Sequence, residues 1–564
     1  MKLKLVLATM IGLTLAATAP AQRTNAPRLT RETVREAEKL IGLDFSDAKI
    51  DLMLPSLQAQ LRNFELLRQV ALSNSVPPAV QFNPLPVGFQ FETARRAPKW
   101  SSRGKVRLPA DESELAFLSL GELGALLKSR QLTSERLTRL YLARLKRFGP
   151  RLECVVTLTE DHALERAQRA DTEIAAGKYR GPLHGIPYGV KDLLATRVAR
   201  TTWGSAAYRE QFLAQDATVV QRLDAAGAVL VAKLAMGELA WDDVWFGGKT
   251  RNPWNPEQGS SGSSAGSASA TAAGLVGFAI GSETWGSIVS PATRCGVTGL
   301  RPTYGRVSRT GAMTLSWTMD KLGPLCRTVE DCALVLHAIQ GPDGLDQTLY
   351  DAPFNYDAKV KLGKLRVGYL KREFDAASPA QTNDLASLEQ LRALGAKLVP
   401  IELPAYPIAP LSFILLTESA AAFEELVQSG REDLLVRPAQ ANWLRRTRFV
   451  PAVEYLQANR IRQLLIQDMA RVMNSVDVYL APTASGDNGL LTNLTGHPAV
   501  CVPNGFTTNG TPTSISFIGK LFGEADLLAA AKAYQDATGF HRMHPKMDFA
   551  LTSPSATPSN PANK

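Results

Sequence analysis

Residues 259–290 read GSSGSSAGSASATAAGLVGFAIGSETWGSIVS. The stretch opens as a glycine–serine loop and continues as a run of small residues from about Gly266 to Gly274. Side chains this small form a helix whose backbone can approach other backbone closely. Leu275 to Ile280 is apolar and strand-like, and a second glycine–serine turn spans Gly281 to Ser287. A flexible linker of the same composition carries no embedded helix and strand. The order of loop, small-residue helix, strand and turn suits a site built from main-chain N–H groups and hydroxyls.

Working outward, helical and strand patterns alternate. Ser119 opens a helix to Arg130, Ser134 opens one to Phe148, and Leu164–Ala176 and Thr218–Ala225 supply two more. Ala228–Leu234, Leu365–Leu370, Ala396–Leu403, Val476–Leu480 and Ser514–Ile518 read as strands. This alternation predicts an α/β fold: a large, mostly parallel or mixed β-sheet covered by helices on both faces. A helical extension precedes it. Thr30 to Ala48 begins with Thr30 as an N-cap and a capping box at Thr33 and Glu36. Leu52–Leu72 repeats the helical spacing, and Pro77, Pro78, Pro84 and Pro86 then mark an extended linker. The expected division is a signal peptide over 1–21, a helical extension and linker over 22–108, one large domain over 109–548 and a disordered tail over 549–564.

The chain begins MKLKLVLATMIGLTLAATAPAQ. Lys2 and Lys4, the apolar run Leu5–Ala17 and the small residues around Ala19 form a secretory signal. Export to the periplasm or beyond is therefore expected. The apolar run is too short to span a bilayer, so no stable membrane insertion is expected. The net charge is +10, but no dense basic run with interleaved aromatics occurs, which counts against a nucleic-acid partner. The five cysteines at 154, 295, 326, 332 and 501 show no CxxC and no metal spacing. No metal and no cofactor are expected. Buried free thiols are the expected state, Cys326 and Cys332 being the pair that an oxidising compartment could bridge.

Gly262–Gly266 also fits G-x-S-x-G, a nucleophile elbow centred on Ser264. An elbow follows a core strand, and Asn252-Pro253-Trp254-Asn255-Pro256-Glu257-Gln258 cannot be one. An elbow also needs a downstream histidine. His337, His497, His541 and His544 are available, and a structural role is expected for each.

Several blocks in order carry a more specific signal: GPLHGIPYGVKD at 181–192, SGSSAGS at 261–267, TWGSI at 284–288, GLRPTYG at 299–305 and LTGHP at 494–498, with Val502-Pro503. Together they resemble the amidase signature family over roughly residues 110 to 545. Ser263 and Ser287 stand 24 residues apart (287 − 263), the family's spacing. The resemblance implies hydrolysis of carboxylic amides, or of esters, which a serine nucleophile also accepts, by Ser287 as nucleophile, Ser263 as proton relay and Lys191 as base. Backbone N–H groups of Thr284, Trp285, Gly286 and Ser287 would hold the oxyanion. The partner implied is a small-molecule amide. A glutamine-hydrolysing subunit of a tRNA-dependent amidotransferase shares these blocks, and the signal peptide counts against that alternative because tRNA is cytoplasmic.

The sequence departs from the family pattern at Glu283 (usually Asp), Trp285 (Gly), Val289 (Arg) and Arg301 (Lys). The Trp285 indole is expected in the pocket. Trp241 and Trp245, in the segment Met236–Trp254, and Trp317 are further candidates for its wall. An apolar pocket of this kind would suit aromatic or other hydrophobic amides over small polar ones.

A lysine serves as a base only when neutral. Lowering its pKa from about 10.4 to about 7 costs roughly 4.6 kcal/mol, and burial is the usual cause. The apolar approach Ile186–Val190 predicts burial of Lys191. Asp192 next door predicts the opposite, an ordinary ion pair.

Overall fold

The computed structural model describes residues 28–102, 104–483 and 486–547. The expected signal peptide over 1–21 and the tail over 549–564 lie outside the described residues. The chain divides between Leu72 and Ser73 into a small unit and a large one. The proline-marked segment expected as a linker therefore belongs to the large unit.

The small unit is a helical hairpin of α1 (Arg31–Ile41) and α2 (Asp47–Leu67). Thr30 caps α1, and the capping box is closed by Thr33, not by Glu36. Gly42, with φ 69°, ends the helix that was expected to run on to Ala48. Val34 and Ile50 are its buried apolar side chains.

The large unit is built on one sheet of eleven strands. In chain order these are β1 (Val155–Leu158), β2 (Pro187–Lys191), β3 (Val229–Leu234), β4 (Phe278–Glu283), β5 (Thr298–Arg301) and β6 (Lys321–Cys326). They continue as β7 (Val367–Leu370), β8 (Leu398–Ile401), β9 (Val478–Pro482), β10 (Ala499–Phe506) and β11 (Pro512–Gly519). Across the sheet they run β1-β3-β2-β4-β6-β5-β10-β11-β9-β7-β8. Parallel pairs lie toward the flanks, β2 with β3 and β4, and β7 with β8 and β9. The middle is antiparallel. The sheet is thus mixed. Helix–strand alternation gives the parallel flanks, and among the antiparallel pairs β10 and β11 are joined by a tight return. The β10–β11 return, closed by Thr507 N–H to the Thr511 carbonyl at 2.8 Å, can only join antiparallel strands.

The core lies on both faces of the sheet. In β3, Val229 and Val231 join one apolar cluster, with Phe148 of α4 (Ser134–Leu152), Ala163 of α5 (Glu160–Ala175) and Ala270 of α7 (Ala265–Ala272). Leu230 between them joins the other cluster, with Leu123 of α3 (Leu120–Lys128) and Val219 of α6 (Thr218–Ala225). Alternate side chains of a strand point to opposite faces. β2 and β3 are buried throughout, and apart from one lysine in each, Lys191 and Lys233, they carry no charged side chain.

Every residue of α7 is buried. A Cβ at Gly266 would stand 2.5 Å from the Cys154 carbonyl oxygen and 2.6 Å from the Ala235 nitrogen, so only glycine fits. The helix closes when Leu275 N–H bonds the Ala270 carbonyl. The following strand therefore starts at Phe278, later than its apolar pattern suggested. It runs through Ser282 and Glu283, which the sequence placed in a turn.

Candidate active site

Lys191 ends β2 and is fully buried. Its ammonium donates to Ser263 Oγ at 2.7 Å, Ser282 Oγ at 2.9 Å and Ser264 Oγ at 3.2 Å. Burial pushes it down to about 7, against the attraction of Asp320 and Glu283. Among the described residues, no carboxylate lies within ion-pair distance of it. Asp192 pairs instead with the buried Lys233 of β3, at 3.0 Å. Asp192 also accepts hydrogen bonds from the Thr202 N–H and hydroxyl.

Ser263 and Ser264 close the glycine–serine loop just ahead of α7, and both are fully buried. Ser264 N–H donates to the Ser287 carbonyl at 3.1 Å, which brings loop and turn together. Ser264 Oγ donates to the Ser282 carbonyl and accepts from the Ser282 N–H, each at 3.1 Å. That hydroxyl is engaged on all sides and stitches the loop to β4. The residues Asn255–Gly259 before the loop pair with Arg251–Asn252 in a separate two-stranded hairpin, outside the main sheet. An elbow nucleophile at Ser264 has neither its strand nor a free hydroxyl.

Ser287 is 8% exposed, at the end of the turn. Gly286 has φ 84°, a conformation that favours glycine and lets the turn reverse. The N–H groups of Trp285, Gly286 and Ser287 donate to no acceptor among the described residues. The next two, Ile288 and Val289, both donate to Glu283 Oε2 at 2.9 Å. Glu283 Oε1 accepts from Arg301 at 2.7 Å and Asn493 at 2.9 Å. Burial alone would raise the Glu283 carboxyl, but Arg301, Asn493 and Val289 N–H overcome it and hold it at about 2. Two departures noticed in the sequence, Glu283 and Arg301, are thus one buried ion pair that fixes the turn. Neither was singled out as a site residue. Ser282 and Asp320 were missed as well. Asp320 accepts from Thr284 Oγ1 and from the Leu315 and Ser316 N–H groups.

A cleft of about 390 Å³ reaches Ser282, Thr284 and Asp320. Of the four tryptophans singled out in the sequence, Trp317 lines it. Trp241 meets Trp443 at a tilt of 43° beside a separate groove, their ring centres 5.8 Å apart. Trp245 is buried, with its indole N–H donating to the Glu153 carbonyl at 3.1 Å. The Trp285 side chain is 45% exposed and is not among the residues lining the cleft. Thr284 turns its hydroxyl inward to Asp320, and the next side chain faces out. His497 is buried, pushed down to about 3, and bonded to Thr495 Oγ1 at 2.8 Å. All five cysteines are buried and unpaired, Cys326 and Cys332 included. No helix among the described residues is long and apolar enough to cross a membrane.

The Amidase family model matches residues 136–488. The chain belongs to the amidase family. A putative amidase, AmiD of Mycobacterium tuberculosis, is 36% identical over 463 residues, covering 77% of this chain and 97% of the relative. A glutamyl-tRNA(Gln) amidotransferase subunit of Methylococcus capsulatus is 36% identical over 479 residues, covering 76% of this chain and 98% of the relative. Among solved structures, the peptide amidase of Stenotrophomonas maltophilia superposes with a TM-score of 0.69 at 31% identity, covering 76% of this chain and 98% of that one. The chain is an amide-hydrolysing enzyme.

Proposed function

We propose that this enzyme is exported and cleaves uncharged carboxylic amides, with Ser287 as nucleophile, Ser263 as relay and Lys191 as base. The observation that carries the reading is the 2.7 Å contact between Lys191 Nζ and Ser263 Oγ, both fully buried, with no ion-pair partner for the lysine among the described residues. Once neutral, Lys191 accepts the Ser263 proton across that contact, and Ser263 accepts the proton of Ser287. Ser287 Oγ attacks the carbonyl carbon. The oxyanion forms against the N–H donors of the turn, Thr284 to Ser287, of which those of Trp285, Gly286 and Ser287 are open. Collapse breaks the C–N bond, and the proton held on Lys191 returns through Ser263 to the leaving amine. Water then attacks the acyl-Ser287 ester by the same relay and frees the acid.

The supporting electrostatics are arranged around the base. Burial lowers the pKa of Lys191, and the two nearby carboxylates, Glu283 and Asp320, are occupied by other donors. Export rests on the amino-terminal pattern of the sequence, residues 1–21. Recovery of the intact chain from the native cytosol would end that part of the reading. Ser287→Ala is expected to abolish turnover and labelling by a fluorophosphonate probe. Persistent labelling, mapped to Ser264, would overturn the assignment.

A second reading, the glutamine-hydrolysing subunit of a tRNA-dependent amidotransferase, is favoured by relatives carrying that name. It requires partner subunits. Activity of the purified chain alone on simple amides decides against it.

A further inference from the structure

The proline-marked segment after Leu72 is a structural part of the cleft. Asn74 pins its start: the side-chain amide donates to the Thr314 carbonyl at 2.8 Å and the Ala422 carbonyl at 3.2 Å, and accepts from the Thr314 N–H at 2.7 Å. Phe82 pins its end. The ring meets Tyr304 edge-on at 5.1 Å and lies under the buried Arg462 guanidinium at 3.5 Å. Gln81 bonds Gln347 at 2.6 Å. Between these anchors, Ser75, Pro77, Pro78 and Val80 line the cleft together with Gln81 and Phe82. Tyr304 continues the wall inward, its hydroxyl donating to the Trp317 carbonyl at 2.8 Å. The whole segment precedes the stretch matched by the family model, residues 136–488.

The wall is mixed, with more apolar than polar surface, and its described charged side chains, Arg309, Asp320 and Asp346, are all engaged. Pro77, Pro78, Val80 and Phe82 line it together with Met313, Leu315 and Trp317. Arg309, the cation in the lining, is fully engaged. It pairs with Asp346 at 3.1 Å and donates to the Trp317 carbonyl at 2.6 Å and Thr348 Oγ1 at 2.9 Å. Asp320 is held by its three donors. A ligand carboxylate or ammonium entering this cleft finds no unpaired charge among the described lining residues and loses hydration. An apolar group gains by burial. Proline narrows the segment's conformational freedom, so little order is lost when a ligand presses against it.

We infer that residues 74–82 form a specificity strap: they wall the cleft so that it selects uncharged amides ending in an aryl-sized apolar group, with Phe82 as the selecting side chain. This rests on the active-site reading above for the reaction, but the strap acts through binding and can be measured without turnover.

The test uses the full chain carrying Ser287→Ala and measures dissociation constants for butyramide and 4-phenylbutyramide by ligand-observed NMR. The parent is expected to prefer the phenyl amide. Phe82→Ala should cut that preference about fivefold, the scale of one aromatic contact. The doubly substituted Pro77→Gly/Pro78→Gly chain alters exposed positions, so its folding is not at risk. It should cut the preference about threefold through lost preorganisation. If Phe82→Ala does not fold, the proline variant decides alone. A parent without preference, or folded variants that keep it, overturns the strap. Hydrolysis of either amide by the unsubstituted chain is scored separately: its absence sinks the Ser287 reading, while the affinities still judge the strap.

Discussion

Lys191 and Lys233 stand on adjacent parallel strands, one residue out of register, and both are fully buried. Their surroundings are opposite. Lys233 meets the Asp192 carboxylate at 3.0 Å, with the Leu194 carbonyl and Thr201 hydroxyl each at 2.7 Å. Lys191 meets three serine hydroxyls and, at 3.4 Å, one carbonyl. Burial lowers both ammonium groups, and only at Lys233 does a carboxylate in contact oppose it. Burial therefore does not by itself make a base. The deciding feature is that Asp192, next in sequence to Lys191, points to the other lysine. One lysine is half of a buried ion pair, and the other contacts hydroxyls, as the proposed role of base requires.

Substitution separates the two roles. Lys191→Met keeps the bulk and removes the proton acceptor, so kcat should fall by at least about 10²–10⁴. Its thermal midpoint should not fall below the parent's, because no charge is orphaned. Lys233→Met should do the reverse. It leaves Asp192 buried without its cation, a loss of about 3–5 kcal/mol measurable by denaturant unfolding, while the folded fraction still turns over. Comparable stability losses in the two variants would erase the distinction. The smallest effect concerns the turn. Glu283→Gln keeps the shape but loses the charge that Arg301 pairs with and that Ile288 and Val289 bond. The expected loss is about tenfold in kcat/KM, the scale of one charge-assisted hydrogen bond, with fluorophosphonate labelling of Ser287 slowed in proportion. Unchanged labelling would make Glu283 a packing residue only.

Much of this was legible in residues 259–290. Their small side chains require the close-packed α7, and the serines flanking it converge on one lysine. Burial of Lys191 could be read from the apolar residues before it. The destination of Asp192 could not, because it depends on which strand lies beside β2. The Glu283–Arg301 pair appeared in the sequence as two unrelated departures, since the partners stand on strands separated by β6 in the sheet. Trp285 misled for a local reason: Thr284 takes the inward position, and the neighbouring side chain must then face out. The strap misled for a chemical one. Four prolines in ten residues, Pro77 to Pro86, read as a linker, and nothing local reveals that Phe82 will find Tyr304 and Arg462.

The central claim, that Lys191 acts as a neutral base, is tested most directly by the pH dependence of kcat/KM for an uncharged amide between pH 5 and 9. The substrate does not titrate there, and the active form of the lysine is the deprotonated one, which gains population as pH rises through its folded pKa of about 7. The account predicts a rate that climbs about tenfold per pH unit on the acid side, bends near pH 7 and then levels off. A rate that stays flat across this range, or falls as pH rises, would contradict it.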